Sequence, residues 1–123
     1  MCLIVDMYRH FERKPIILKE DLECFKVLKY FIGIANYYTP YQEYPIELNT
    51  LYITKMSSRG CGREIHKGFH SFVNVENISS TMILFSNKKV FKAIYPKGTR
   101  IYYGIDGDIV GNKIIITDEE IIV

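Results

Sequence analysis

Apolar and polar positions alternate most regularly in the last third of the chain. Lys89-Val90-Phe91-Lys92-Ala93-Ile94-Tyr95 reads as a strand, Pro96-Lys97-Gly98 as a turn and Arg100-Ile101-Tyr102-Tyr103 as a second strand. Asp106-Gly107 is a hairpin signal, and Gly111-Asn112 turns the chain into Lys113-Ile114-Ile115-Ile116-Thr117. Strands at such short spacing form an antiparallel sheet. Upstream, Glu23 to Tyr30 carries the aromatic and branched residues of a strand, with helix as the rival reading, and Gly33 and Tyr38-Thr39-Pro40 then punctuate the chain. The segment from Tyr41 to Asn49 is extended between Pro40 and Pro45. Thr50 to Met56 reads as a strand, Ser57 to Arg63 as a loop, and Gly68 to Val73 as a short strand. Asn74 is placed as an N-cap before Val75, Ile78, Met82 and Phe85, and this spacing predicts a helix over 75–86. The expected fold is α+β, a small antiparallel sheet of five to six strands packed by one or two helices.

Length and composition narrow this to one domain. At 123 residues with 48% hydrophobic content, the chain can build a single core over 1–123 without metal or disulfide staples. The first fifteen residues, which run through Arg9-His10-Phe11-Glu12-Arg13-Lys14-Pro15, have no clear periodicity and suit an arm or an edge segment. Sixteen basic and fourteen acidic residues leave a charge of +2, so there is no strong nucleic-acid signal. Cys2, Cys24 and Cys61 are odd in number and lack metal-ligand spacing, which argues for a reducing compartment and against a zinc site. The apolar start, Met1 to Val5, is too short for a signal-peptide core, and no run approaches a membrane span. A cytoplasmic protein with no membrane partner, no metal and no cofactor is expected.

Candidate chemistry gathers in a few places. Ten tyrosines and seven phenylalanines, with no tryptophan, supply rings that suit a ligand pocket, a protein interface or the margin of a core. His66 and His70 are four apart, but Gly68 between them makes a helical metal face improbable and no third ligand is evident. On a strand, Phe69, Ser71 and Val73 share one face while His70 and Phe72 share the other, and the Ser71 hydroxyl then needs a partner among apolar neighbours. No Gly-x-Ser-x-Gly elbow surrounds it. Arg59 and Arg63 flank Cys61 in a glycine-bearing loop. Guanidinium groups there could activate the thiol, and they serve better as bidentate phosphate contacts. Asp118-Glu119-Glu120 closes the last strand with carboxylates able to orient a ribose hydroxyl or stabilise a developing cation.

Two resemblances follow from these residues. Gly68-Phe69-His70-Ser71-Phe72, Ala93 through Tyr103 and Gly107-Asp108-Ile109-Val110 resemble small uncharacterised proteins of gut Bacteroidetes and their phages, which implies an origin and a host-cell cytoplasm, not an activity. The order of Phe-x-Ser-Phe strand, helix, strand ending in Pro-Lys-Gly-Thr and terminal strand with acids looks like a degenerate ADP-ribosyltransferase core. That resemblance implies that Ser71 and Glu120, with Asp118 before it, stand where the family holds NAD. The family's early Arg or His has no counterpart between Glu23 and Tyr30, where Lys26 and Lys29 stand. The resulting expectation is a non-catalytic phage or mobile-element protein that binds or sequesters a small nucleotide, ADP-ribose-like or cyclic, in an anti-defence role. Its expected contacts are Arg59, Arg63, His70, Ser71, Tyr102, Tyr103 and Glu120, with the arginines on phosphate and the tyrosines stacking a base. The alternatives are a small ADP-ribosyltransferase-like enzyme using Glu120 and a virion or protein-interaction module, and a homo-oligomer fits the aromatic surface.

Overall fold

Branched and aromatic residues dominate this chain, and they place it in strands. The computed structural model describes residues 3–30, 37–39, 45–59, 64–78 and 88–122. In chain order the strands are β1 (Leu3–Ile4), β2 (Ile16–Ile17), β3 (Leu22–Tyr30), β4 (Tyr37–Tyr38), β5 (Pro45–Ile46), β6 (Leu51–Ile53) and β7 (Ser57–Arg59). They continue as β8 (Glu64–Lys67), β9 (Phe69–Phe72), β10 (Lys88–Tyr95), β11 (Arg100–Tyr103), β12 (Asp108–Gly111) and β13 (Lys113–Ile121).

The α+β expectation is overturned. The described residues form a ten-stranded antiparallel sheet, ordered β2-β11-β12-β9-β3-β10-β13-β6 with β4 and β5 alongside β3, and a three-stranded sheet ordered β1-β8-β7. Their only helical pieces are the three-residue 3-10 turns Phe11–Arg13 and Val75–Asn77. The expected helix over 75–86 does not extend through its first turn, because the Asn74 side chain makes no capping bond and Ile78 returns to extended backbone. Ile78 is aimed instead onto the sheet, where it packs with Val27, Phe72 and Val90. Residues 79–86 of that expected helix lie outside the described residues.

A connection of one residue shapes the large sheet. β12 and β13 stand four places apart in the strand order, about 19 Å across a flat sheet. Yet Asn112 alone joins them, and two Cα steps span only about 7 Å. The sheet therefore curls over, which is why Ile101 of β11, Ile109 of β12 and Ile114 of β13 share one core with Cys24, Leu28, Phe91, Ala93 and Tyr95. Gly111 packs directly against Tyr95 inside the curl. A Cβ there would meet the Tyr95 ring at 2.7 Å.

The opposite face of β12 is covered by the small sheet, through Leu3, Val5, Ile65 and Val110. β8 passes into β9 through Gly68 alone, whose φ of 148° is open to glycine and strained for other residues. The two sheets thus share one bent stretch of chain.

The N-terminal segment is docked along the outer edge of β11. Val5 bridges Gly104, the Asp6 amide donates to the Tyr103 carbonyl at 2.8 Å, and β2 pairs with Arg100 and Ile101. Between these anchors His10 is buried and accepts the Tyr103 amide proton on Nε2 at 2.8 Å. Because Nε2 accepts, Nδ1 carries the hydrogen and donates to the Lys14 carbonyl at 2.9 Å. An imidazole thus occupies the place a neighbouring strand's carbonyl would take.

Candidate functional site

Strand register decides which of the expected contacts can share a ligand. Val110 pairs with both His70 and Tyr102, so these two side chains lie in one row on the face covered by the small sheet. Ile109 pairs with both Ser71 and Tyr103, which places that row on the other face. Glu120 belongs to β13, where it pairs with Phe91 of β10, and β13 is not paired with β9, β11 or β12. Arg59 ends β7, in the small sheet. Arg63 and Cys61 lie outside the described residues. The six expected contacts among the described residues are therefore distributed over two faces of the large sheet, its strand β13 and the small sheet.

The Ser71 hydroxyl is committed inside the core. Tyr95, fully buried, donates its hydroxyl proton to the Phe69 carbonyl at 2.6 Å and stands 3.3 Å from the Ile109 carbonyl. Its single proton being used, it accepts from Ser71 Oγ at 2.6 Å. Cys24 hydrogen-bonds Ser71 from β3, and burial pushes its thiol up to about 12, far from the thiolate a nucleophile needs. Burial likewise raises the Tyr95 phenol well above its ordinary value. Together Cys24, Ser71 and Tyr95 form a polar cross-tie between β3, β9 and β10.

Lys26 belongs to the same inward row. Cys24, Lys26 and Leu28 alternate on the buried phase of β3, and Lys26 is 8% exposed. Its ammonium donates to the His70 carbonyl at 2.5 Å, and burial lowers it from 10.5 to about 8. Desolvation, and next the charge of Lys26, lower His70 to about 4, so its imidazole is neutral at pH 7 and offers no charge to a phosphate. His70 Nε2 lies 3.4 Å from the His66 carbonyl, while Ser57 Oγ is 3.1 Å from His66 Nε2. The Nδ1 atoms of both histidines are buried with no hydrogen-bond partner among the described residues. No group of three or more metal-ligating side chains occurs among those residues.

The two tyrosines are engaged by the N-terminal segment. The His10 ring lies 5.1 Å from Tyr102 and 6.1 Å from Tyr103, and the Arg9 guanidinium sits 3.5 Å over the Tyr103 ring. A base stacking on that face would have to displace the guanidinium. Asp118, Glu119 and Glu120 are exposed residues within the closing part of β13, which continues to Ile121 past a bulge where the register advances from Ala93↔Ile116 to Phe91↔Glu120. Its carboxylate pairs with Lys89 at 3.6 Å, and Glu119 and Glu23 both reach Lys92, at 3.5 and 3.2 Å.

What the sequence did not single out is the exposed side of the N-terminal segment. Ile4, Met7, Tyr8, Phe11 and Ile17 are exposed along it, with Ile105 beside Ile4 through the bond from the Ile105 amide to the Ile4 carbonyl at 3.0 Å. Tyr8 is 103% exposed and Phe11 83%. Ile17 and Ile4 lie at the two ends of the stretch from Arg100 to Ile105, about 17 Å long, and Met7, Tyr8 and Phe11 fall between them along the chain. The signal was present in Met7-Tyr8-Arg9-His10-Phe11, where apolar and cationic residues interleave without strand or helix period. No protein family, curated protein or solved structure matches the chain.

Proposed function

We propose that this protein is a binding module that engages another protein chain through the apolar strip on its N-terminal segment. The observation that carries the reading is the exposure of Tyr8 and Phe11, two large rings held at full display on a segment that is itself anchored by backbone bonds and by His10. Taken at ~200 Å² for a fully exposed large side chain, the six apolar residues together expose on the order of 800 Å². Rings on a fixed backbone bind with little loss of conformational freedom, and so form effective interface anchors.

Sequestration of a small nucleotide finds less support. Its expected contacts divide between two faces, Ser71 is hydrogen-bonded within the core, and Arg9 covers Tyr103.

A photo-crosslinking amino acid placed at Phe11 tests the proposal in cells, with the same group at the exposed Lys55 as control. Discrete crosslinked protein adducts at position 11 and none at 55 are expected. No adduct at position 11 would remove the reading.

A further inference from the structure

Two imidazoles stand at the joint between the sheets. His66 belongs to β8 and His70 to β9, with Gly68 as the one residue between the strands. His70 Nε2 lies 3.4 Å from the His66 carbonyl and Ser57 Oγ lies 3.1 Å from His66 Nε2, so a line of polar contacts runs from β9 through β8 to β7. We infer that this joint makes the small sheet an acid-released flap: a proton gained by His70 frees β1, β7 and β8 from the covered face of β12 and uncovers Leu3, Val5, Ile65 and Val110.

The tautomer decides where the proton goes. A carbonyl oxygen only accepts, so His70 Nε2 carries the hydrogen that faces His66, and Nδ1 keeps the lone pair. Acid therefore adds its proton at Nδ1. That atom is buried with no hydrogen-bond partner among the described residues, so the new N–H finds no acceptor there. Nor does the new charge find an opposite one. The charged groups that act on the ring are Lys26 of β3, whose ammonium sits on the His70 carbonyl, the terminal amine and His66 of β8, each of which repels an imidazolium. Tyr102 of β11 shares the row of His70 across Val110, and Asp108 follows Val110 on the same face of β12. The Asp108 carboxylate is turned towards Gly104, where an added Cβ would meet both it and Leu3, and burial raises it towards its neutral form. From β7 the facing group is the Ser57 hydroxyl, and Glu64 and Lys67 are the exposed ends of β8.

Relief lies on the side of the small sheet. The two sheets meet through the cluster of Leu3, Val5, Ile65 and Val110, edged by Met56 and Tyr102, while the two other clusters of the core hold no residue of β1, β7 or β8. Lifting the small sheet hydrates the imidazolium and leaves those clusters intact, so it costs less than unfolding the whole chain. Gly68 is the pivot: its φ of 148° belongs to glycine, and a Cβ there would meet Val110 Cγ2 at 2.5 Å.

Desolvation, and next Lys26, hold His70 at about 4 in the closed form, against 6.5 for the ring released to water. The open form binds more protons between these values, so the closed form keeps its full advantage above 6.5 and loses it as pH falls towards 4. At ten-fold per unit, the ratio of open to closed rises about 30-fold from about pH 7.5 to about pH 5.

Hydrogen exchange of the full chain, followed by NMR at those two values with the chemical exchange rate divided out, reads the flap directly. The amides of β1 and β8 are expected to open more readily than those of the β3–β10 pair at both values. Between the two values their opening is expected to rise about 30-fold more in the wild type than in His70→Gln, which has no ring to protonate. Equal opening of β1, β8 and the β3–β10 pair would overturn the flap, and an acid rise that His70→Gln keeps in full would overturn the part played by His70. Nitrogen-15 shifts of the wild-type imidazole give a check that needs no variant. A ring with its hydrogen on Nε2, neutral down to about 4, is expected. A hydrogen on Nδ1, or titration at the ordinary imidazole value, would overturn the inference.

Discussion

Lys26 is held in the core at a cost that can be measured. In the unfolded chain its ammonium keeps its proton up to about 10.5, and in the folded chain it releases it near 8. The unfolded state therefore binds more protons between these values, so this residue's contribution to stability rises with pH across that window and is lost as pH falls through it. At about 1.4 kcal/mol per unit the shift corresponds to about 3 kcal/mol at pH 7, from which the bond to the His70 carbonyl offsets about 1. Lys26→Met is accordingly expected to be more stable than wild type by about 2 kcal/mol at pH 7 in chemical denaturation, with the difference closing towards pH 10. A less stable variant would mean that the ammonium is better solvated than its burial indicates. This residue was legible in principle, since Cys24-Lys26-Leu28 puts a lysine in the phase of buried positions. The faces of β9 were read correctly from the same alternation. What alternation could not supply was the partner of Ser71, because Tyr95 lies 24 residues away and meets it only once the sheet has curled.

At the scale of elements, the N-terminal segment is the clearest case of a structure fixed by distant contacts. The residues before Pro15 have no period, and the bond that latches them joins His10 to Tyr103 across 93 residues. His10→Ala is expected to speed hydrogen exchange of the Tyr103 amide and to cost about 1–3 kcal/mol, since it leaves a buried donor without its acceptor. His10→Asn, whose amide oxygen can accept, is expected to restore part of both. Unchanged exchange at Tyr103 in His10→Ala would show that the segment is held by its backbone bonds alone. The strands of the last third were readable because turn residues separate clean alternations. The acids of β13 read as a strand end because charge is usually solvated there, whereas the bulge carries them on as an exposed strand opposite Lys89 and Lys92. Of the spacing behind the helix expected at 75–86, Val75 and Ile78 also suit a single 3-10 turn, which has no side-chain cap bond, and Met82 and Phe85 lie outside the described residues.

On the scale of the whole molecule, one fact organises both core and surface. The large sheet curls over its own face and the small sheet covers part of the other, so the side chains best suited to chemistry, Cys24, Ser71 and Tyr95, are consumed in joining strands. No helix among the described residues is long and apolar enough to cross a membrane. Ser71 and Tyr103 on one side and His70 and Tyr102 on the other are separated for a topological reason, because residues adjacent along a strand alternate between faces. Among the described residues, six of the nine exposed large hydrophobics lie along the N-terminal segment and beside it at Ile105. Hydroxyl-radical footprinting of Met7, Tyr8 and Phe11 tests that claim most directly, comparing the dilute purified protein with the protein inside cells. Strong labelling of all three is expected in dilute solution, with marked protection of Tyr8 and Phe11 in cells and exposed Ile53, on the strand at the other end of the sheet order, unchanged. Equal labelling of Tyr8 and Phe11 in both settings would contradict it.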